Sequence, residues 1–284
     1  MNLTEMRALL AAEDIRLTRS LGQNFLHDGN QLRRIVALAG IQSGDKVLEI
    51  GPGLGPLTEH LLATGAQVLA IEKDARLVPL LRRRIGGTNA LTIVEADALR
   101  WLENPNDEEG KPRDWTDWHV VSNLPYSVGS PILVELAHSL RPPRTVTVTL
   151  QSEVVDRIRA KAGTAEFGVL TLLLARVFTI GSSFRIPATC FFPAPDVGSA
   201  CVRLERRAEP LVSGLAAATY IRIVKSAFSQ RRKQLRKVLR FNWPEAALAD
   251  AWNTLALGPE VRPEVVTPEH FALLAERLSR LSAP

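Results

Sequence analysis

Short apolar runs at Lys46–Ile50, 67–71 and Leu91–Glu95 alternate with stretches of helical character at 57–64 and 75–85. Strands alternating with helices at this spacing argue for βαβ units and a parallel sheet, since parallel neighbours need a crossover long enough to hold a helix. The pattern continues with a strand at 120–122, a helix at 129–140, an alternating strand at 145–150 and a helix at 151–161. Before it, a short helix and a lead-in loop occupy the chain to Asp28, and residues 31–40 read as a helix closed by Gly40. The stretch 103–118 is polar and turn-rich and reads as a loop insertion. Pro187, Pro193 and Pro195 interrupt β-like runs between 178 and 204, which places those strands near a sheet edge. The expected fold is therefore α/β, a Rossmann-like sheet with helices on both faces.

Around 206–214 the composition turns to that of a linker, and the β signal ends. Residues 215–229, 231–241, 244–252 and 268–281 all have helical spacing. With 284 residues the chain can hold one large domain and a smaller one. The expected division is an α/β domain over 1–207 and an all-helical domain over 208–284.

Charge separates the two. Between Thr219 and Arg240 lie Arg222, Lys225, Arg231, Arg232, Lys233, Arg236, Lys237 and Arg240, with no acid. The whole chain carries +5, so these eight cations leave −3 for the rest. A localised positive field is the footprint of a nucleic-acid partner. Leu235, Val238 and Leu239 fall on one helical face, leaving Arg231, Arg232, Lys233, Arg236, Lys237 and Arg240 on the others. Cys190 and Cys201 have neither metal-ligand nor disulfide-framework spacing, and the histidines are scattered, so no metal is expected and a reducing cytoplasm fits. Glu5, Arg7, Glu13 and Asp14 interrupt the N-terminus, so no secretory leader is expected. The most apolar run, 169–174, is far short of a membrane span.

The first strand runs into Gly51-Pro52-Gly53-Leu54-Gly55. Glycines there let backbone approach a ligand closely. The spacing is G-x-G-x-G with Pro56 following, not the dinucleotide pattern G-x-G-x-x-G. That favours S-adenosylmethionine, which has no pyrophosphate. Glu72 follows the second strand, where a carboxylate can accept from both ribose hydroxyls. Asp97 follows the third and can accept from the adenine amine of the cofactor. Either acid alone could equally be a helix cap. Lys73 and Ala98 adjoin them and are placed in the same site.

Asn123-Leu124-Pro125-Tyr126 lies at the end of the fourth strand, on the sheet edge where α/β folds bind ligands. Such a turn suits an amine on a flat ring. The amide oxygen and a backbone carbonyl can accept the amine's protons, and the Tyr can stack on the ring. A strand-end turn alone would also explain Asn and Pro.

These segments together resemble the small-subunit ribosomal RNA adenine dimethyltransferases, which modify two adjacent adenines near the 3′ end of bacterial 16S rRNA. Leu21-Gly22-Gln23-Asn24-Phe25-Leu26 is similar to the family's N-terminal motif, which covers the methionine part of the cofactor and implicates Gln23, Asn24 and Leu26. Glu49 to Gly55 and Leu57-Thr58-Glu59 match its Gly-rich segment, and Asn123 to Tyr126 its catalytic segment. Phe191-Phe192-Pro193-Ala194-Pro195 resembles a motif whose first aromatic packs on the target base, implicating Phe191. Phe228-Ser229-Gln230-Arg231-Arg232-Lys233 resembles the basic opening of the helical domain, and Arg262-Pro263-Glu264 a short later motif. The resemblance implies that Asn123 and the Pro125 carbonyl hold the adenine amine. It also implies that Tyr126 and Phe191 stack on the base, and that Lys225 and the 231–237 cations grip RNA. A monomer acting on the small ribosomal subunit or its precursor is expected, with no membrane. Asp196, Gly198 and Phe167 depart from the usual Lys, Asp and Tyr. Two alternatives remain: a large-subunit rRNA adenine methyltransferase, which usually has Ile where Leu124 stands, and a non-catalytic RNA-binding assembly factor.

Overall fold

The computed structural model describes residues 1–17, 22–106 and 109–280. Leu21, residues 107–108 of the expected insertion and Leu281 lie outside them. By contact density the described chain divides into two compact units, 1–155 with 180–206, and 156–179 with 207–284. The expected boundary at 207/208 lies beside the third crossing of the chain between units, at 206/207. Residues 156–179 group with the C-terminal unit, although they sit between two strands of the sheet.

In the first unit, helix α1 (Leu3–Ala12) precedes a two-residue strand β1 (Phe25–Leu26) and helix α2 (Gly29–Ala39). Then come β2 (Lys46–Ile50), α3 (Pro56–Leu62), β3 (Gln67–Glu72), α4 (Leu77–Ile85), β4 (Leu91–Glu95) and α5 (Ala98–Glu103). After the insertion follow β5 (Trp118–Asn123), α6 (Gly129–His138), β6 (Thr145–Gln151) and α7 (Ser152–Arg159). Helix α8 (Val169–Ala175), which belongs to the second unit, is followed by β7 (Phe178–Ile186), a second two-residue strand β8 (Phe191–Phe192), and β9 (Ser199–Arg206).

The main sheet has the order β4-β3-β2-β5-β6-β9-β7. Strands β2 to β6 pair in parallel, and β9 pairs antiparallel with β6. Chain order runs outward from β2 to β4, then returns to β5 on the other side of β2. That reversal opens a crevice beyond the C-terminal ends of β2 and β5, the place where such sheets bind ligands. Val47, Leu48, Val120, Val121, Val146 and Val148 are fully buried, as expected for strands covered on both faces. Each buried aliphatic side chain contributes roughly 2 kcal/mol.

One pairing has no counterpart in the sequence reading. Strand β1 pairs antiparallel with β8, Phe25 opposite Phe192 and Leu26 opposite Phe191. Met6 and Leu10 of α1 pack with Phe25, Leu54, Leu77 and Leu80. The N-terminal segment is thereby pinned beside the Gly-rich turn.

Glu49 lies in β2, 1% exposed. Burial pushes its carboxyl up to about 8, only partly countered by the Thr58 hydroxyl, with the nearby Glu72 raising it further. A free carboxyl ionises near 4.5, so between that value and about 8 the folded chain holds a proton that the unfolded chain has released. Stability is then full below pH 4.5 and falls as pH rises through 8. Glu49→Gln is expected to raise the melting temperature at pH 8 and to leave it nearly unchanged at pH 5. Thermal melts at the two pH values check this; an equal shift at both would refute it.

The second unit is helical. Beyond α8 it comprises α9 (Gly214–Ser229), α10 (Leu235–Leu239), α11 (Glu245–Thr254) and α12 (Pro268–Arg280). Tyr220 is fully buried, and its hydroxyl donates to the Leu172 carbonyl at 2.9 Å. Phe228 packs against Phe167 and Phe271, at 6.2 and 6.3 Å between ring centroids. Phe167 therefore sits in an apolar site with no need of a Tyr hydroxyl. The helix expected over 231–241 is shorter, because α10 begins only at Leu235. Three consecutive cations at its N-terminal side oppose the helix dipole and one another, so 230–234 forms a turn instead. Leu235, Val238 and Leu239 are buried as their spacing requires. No helix among the described residues is long and apolar enough to cross a membrane.

Candidate active site

The crevice beyond β2 and β5 is walled by the Gly-rich turn, the ends of β3 and β4, the Asn123–Tyr126 turn and the N-terminal segment. Gly53 explains the glycine pattern best. Its φ is +60°, and a Cβ there would lie 2.4 Å from Cε1 of Phe25. Its N–H donates to Glu72 Oε2 at 3.0 Å. Gly51 lines the crevice too, with φ +67°.

Glu72 is 6% exposed and accepts from two backbone groups, Gly53 N–H and Asp74 N–H, the latter at 2.8 Å. Burial raises its carboxyl above the usual range, opposed by these donors. Each oxygen takes one backbone donor and keeps a lone pair for another. Asp97 fills the helix-cap role and pairs with a neighbouring cation. Its Oδ1 accepts from Leu99 N–H at 3.0 Å and Arg100 N–H at 3.3 Å, capping α5. Its Oδ2 pairs with Lys73 Nζ at 2.8 Å, and that bond first of all holds its carboxyl below the usual range. Lys73 and Ala98 line the crevice beside it.

Asn123 ends β5. Its Nδ2 donates to the Asn24 carbonyl at 2.9 Å. Its Oδ1 is buried and has no hydrogen-bond partner among the described residues. One side of the amide is thus fixed and the other left open, at a buried site where an unpaired oxygen costs about 1–3 kcal/mol. The Tyr126 hydroxyl hydrogen-bonds the Ser199 hydroxyl, which holds the ring in place, and burial raises the phenol. Leu124 is buried beneath the turn, its N–H donating to the Thr149 carbonyl at 3.2 Å. The Pro125 carbonyl already accepts from Val128 N–H at 3.1 Å, leaving one lone pair.

Asp74 was not anticipated. It is 6% exposed, lines the crevice, and accepts from Gln23 Nε2 at 2.8 Å and from Arg76 at 2.7 and 2.8 Å. The Arg76 bonds first, then Gln23, hold its carboxyl below the usual range. Its signal was available: it stands two residues after Glu72, just past the end of the same strand.

Three expected positions lie elsewhere. Phe191 is 3% exposed and packs in the core opposite Leu26, so its ring faces no crevice; an apolar ring with an apolar partner is held inward. Leu26 is equally buried and supports the wall without lining it. Gly55 is absent from the lining; a Cβ there would meet Leu81 Cδ1 at 2.7 Å, so it serves the packing of α3 on α4. Beside this site, Gly198 replaces a usual Asp. A Cβ there would lie 3.1 Å from Ser152 Oγ, so little room exists for a larger side chain.

In the second unit Arg232, Lys233 and Lys237 are exposed and line one shallow pocket. Lys225 is exposed on α9. Arg231 donates to the Thr164 carbonyl at 3.3 Å, and Arg236 pairs with Glu245, so these two are partly occupied within the unit. No group of three or more His, Cys, Asp or Glu among the described residues could hold a metal.

The sheet order, the G-x-G-x-G turn and the paired acids are those of a Rossmann-like methyltransferase. The chain belongs to the ribosomal RNA adenine dimethylase family, whose description matches residues 15–280. It is 38% identical over 281 residues to the ribosomal RNA small subunit methyltransferase A of Magnetococcus marinus, covering 98% of each chain. Among solved structures it is similar to a 23S rRNA methyltransferase, ErmE, with TM-score 0.66 and 29% identity over 90% of this chain and 99% of that one. A dimethyladenosine transferase from Plasmodium falciparum shares the fold, with TM-score 0.73 and 23% identity over 88% of this chain and 95% of that one. The protein is an rRNA adenine dimethyltransferase, and its cofactor is S-adenosylmethionine. The residues present fit that cofactor: the backbone of Gly51 and Gly53 lines the crevice wall, and the buried Glu72 oxygens have lone pairs to spare.

Proposed function

We propose that this enzyme dimethylates N6 of two adjacent adenines in a loop near the 3′ end of 16S rRNA, during assembly of the small ribosomal subunit. The observation that carries the chemistry is Asn123, whose Nδ2 is tied to Asn24 while its buried Oδ1 is open. The nitrogen of an adenine amine is a poor nucleophile, because its lone pair is delocalised into the ring. Asn123 Oδ1 accepts one of its protons and the Pro125 carbonyl the other. Held out of the ring plane, the nitrogen regains its lone pair. S-adenosylmethionine supplies a methyl group already activated by its sulfonium. As the nitrogen–carbon bond forms, the sulfur–carbon electron pair would stay with the departing neutral thioether, and the methylated nitrogen, now cationic and strongly acidic, would release one proton to solvent, so the protein's own task is to align the two partners. Tyr126, fixed by Ser199, stacks on a base taken out of its helix. Glu72 holds the ribose, and Asp97 with Lys73 the adenine end of the cofactor. Arg232, Lys233 and Lys237 grip RNA phosphates, with Lys225, Arg231 and Arg236 adding to the field.

The small-subunit assignment is supported by the higher identity to the Magnetococcus relative than to the 23S enzyme, 38% against 29%, and by Leu124 in place of the usual Ile of that second class. Mass mapping of both rRNAs from cells with and without this protein tests it. Two adjacent dimethyladenines near the 3′ end of 16S rRNA are expected. A modification confined to 23S rRNA would overturn the assignment, and no modification of either would overturn catalysis.

Glu72→Ala is expected to weaken S-adenosylmethionine binding about tenfold, because two hydroxyls lose a charged acceptor in a dry site. Calorimetric titration reads this directly. Unchanged affinity would remove Glu72 from the cofactor.

A further inference from the structure

Within the C-terminal unit, the basic segment given an RNA-phosphate role above meets a second short motif, around Arg262, that has none so far. Arg232, Lys233, Lys237 and Arg240 share one open pocket with Arg262. The backbone builds it: Leu235 N–H donates to the Val261 carbonyl at 2.8 Å, fixing the start of α10 beside the 260–262 segment. With Leu235, Val238 and Leu239 buried, the cations are left on the open side. None of the five forms an ion pair among the described residues. Like charges gathered this closely repel one another, so the arrangement costs stability unless an anion joins it.

Two further features narrow the anion. Phe241 lines the same pocket and is 73% exposed, with the Arg240 guanidinium 5.8 Å from its ring centroid. A ring so exposed contributes little to the core. A flat apolar face beside phosphate-binding cations is the combination that receives an unstacked base. The second feature is Glu260, joined to Gln234 at 3.4 Å in the pocket wall. A carboxylate would repel a phosphate, so a site made for phosphate alone has no use for it. A base edge is different, because its N–H groups donate to a carboxylate. Guanine offers two adjacent donors to match two oxygens.

We propose that this pocket holds one unpaired nucleotide of the RNA substrate, a guanosine by preference. Its phosphate lies among Arg232, Lys233, Lys237, Arg240 and Arg262, its base on Phe241, and its edge against Glu260. The proposal rests on RNA being the substrate, as inferred above. It gives the C-terminal unit a means of reading a bulge or loop, beyond a general attraction to phosphate.

The test uses the full-length protein and RNA hairpins that differ only in one bulged nucleotide, G, A, C or U, or none. Fluorescence anisotropy measures affinity across a salt series. The wild type is expected to bind the bulged-G hairpin about tenfold more tightly than the fully paired one. Phe241→Ala is expected to lose that difference while keeping its salt slope and its melting temperature, since the ring is exposed. Glu260→Gln is expected to lose the preference for G while still favouring a bulge over none. Equal binding of bulged and paired hairpins by the wild type, or a full bulge preference in Phe241→Ala, overturns the pocket. Methylation of small-subunit RNA by the wild type, measured in parallel, separates the two readings. Methylation without bulge preference overturns the pocket alone. Bulge preference without methylation overturns the catalytic reading and upholds the pocket.

Discussion

Asn123→Ala is expected to slow methyl transfer at least about a hundredfold, with a far smaller change in cofactor affinity. The reason is the asymmetry of the amide. Its nitrogen is already satisfied by the Asn24 carbonyl, so the oxygen alone faces an incoming group. That oxygen gains its partner only when an amine arrives, and it bonds best when the nitrogen is leaving the ring plane. Single-turnover transfer to small-subunit RNA, with saturating cofactor, isolates the step. A wild-type rate would sink the role given to Asn123. A loss that appears only in cofactor binding would move Asn123 from the target amine to the cofactor.

Reversing Arg232, Lys233 and Lys237 to Glu is expected to weaken RNA binding by at least about a hundredfold at moderate salt, and to flatten the slope of log K against log salt by about two units. Arg236 is left out of this variant because its pairing with Glu245 helps hold the unit together. The three chosen cations are exposed, and Leu235, Val238 and Leu239 keep α10 packed, so the fold should survive. Unchanged affinity and slope together would make the segment a solvated face and place the RNA grip elsewhere.

Much of this was legible from the chain. Short apolar runs mark β2 to β5 and an alternating run marks β6, while 3.6-residue spacing marks the helices between them; strands covered on both faces take apolar residues at successive positions. Gly51, Gly53, Glu72, Asp97 and Asn123 could be placed because each stands immediately after a strand that the pattern had already located. What escaped has physical reasons. The pairing of β1 with β8 joins Phe25 to Phe192 across the chain, and two residues are too few to show a period. Phe191 is an aromatic in a motif, but its burial depends on that same pairing. The Asn24 carbonyl that orients Asn123 is backbone, which every residue has, so no side chain announces it. Residues 156–179 join the helical unit because their apolar side chains pack there, a choice the sequence order of strands hides.

The segment from Gly22 to Leu26 does several jobs over five residues. Asn24 steadies the Asn123 amide, Gln23 steadies Asp74, and Phe25 fills the space left by the missing Cβ of Gly53. With the roles proposed above, methyl donor and methyl acceptor are both served by one strip of chain. A substitution that lifts the strip should raise KM for the donor and depress kcat in the same stroke. The two parameters cannot be tuned apart at this place, so affinity for the donor and speed toward the acceptor must vary together here.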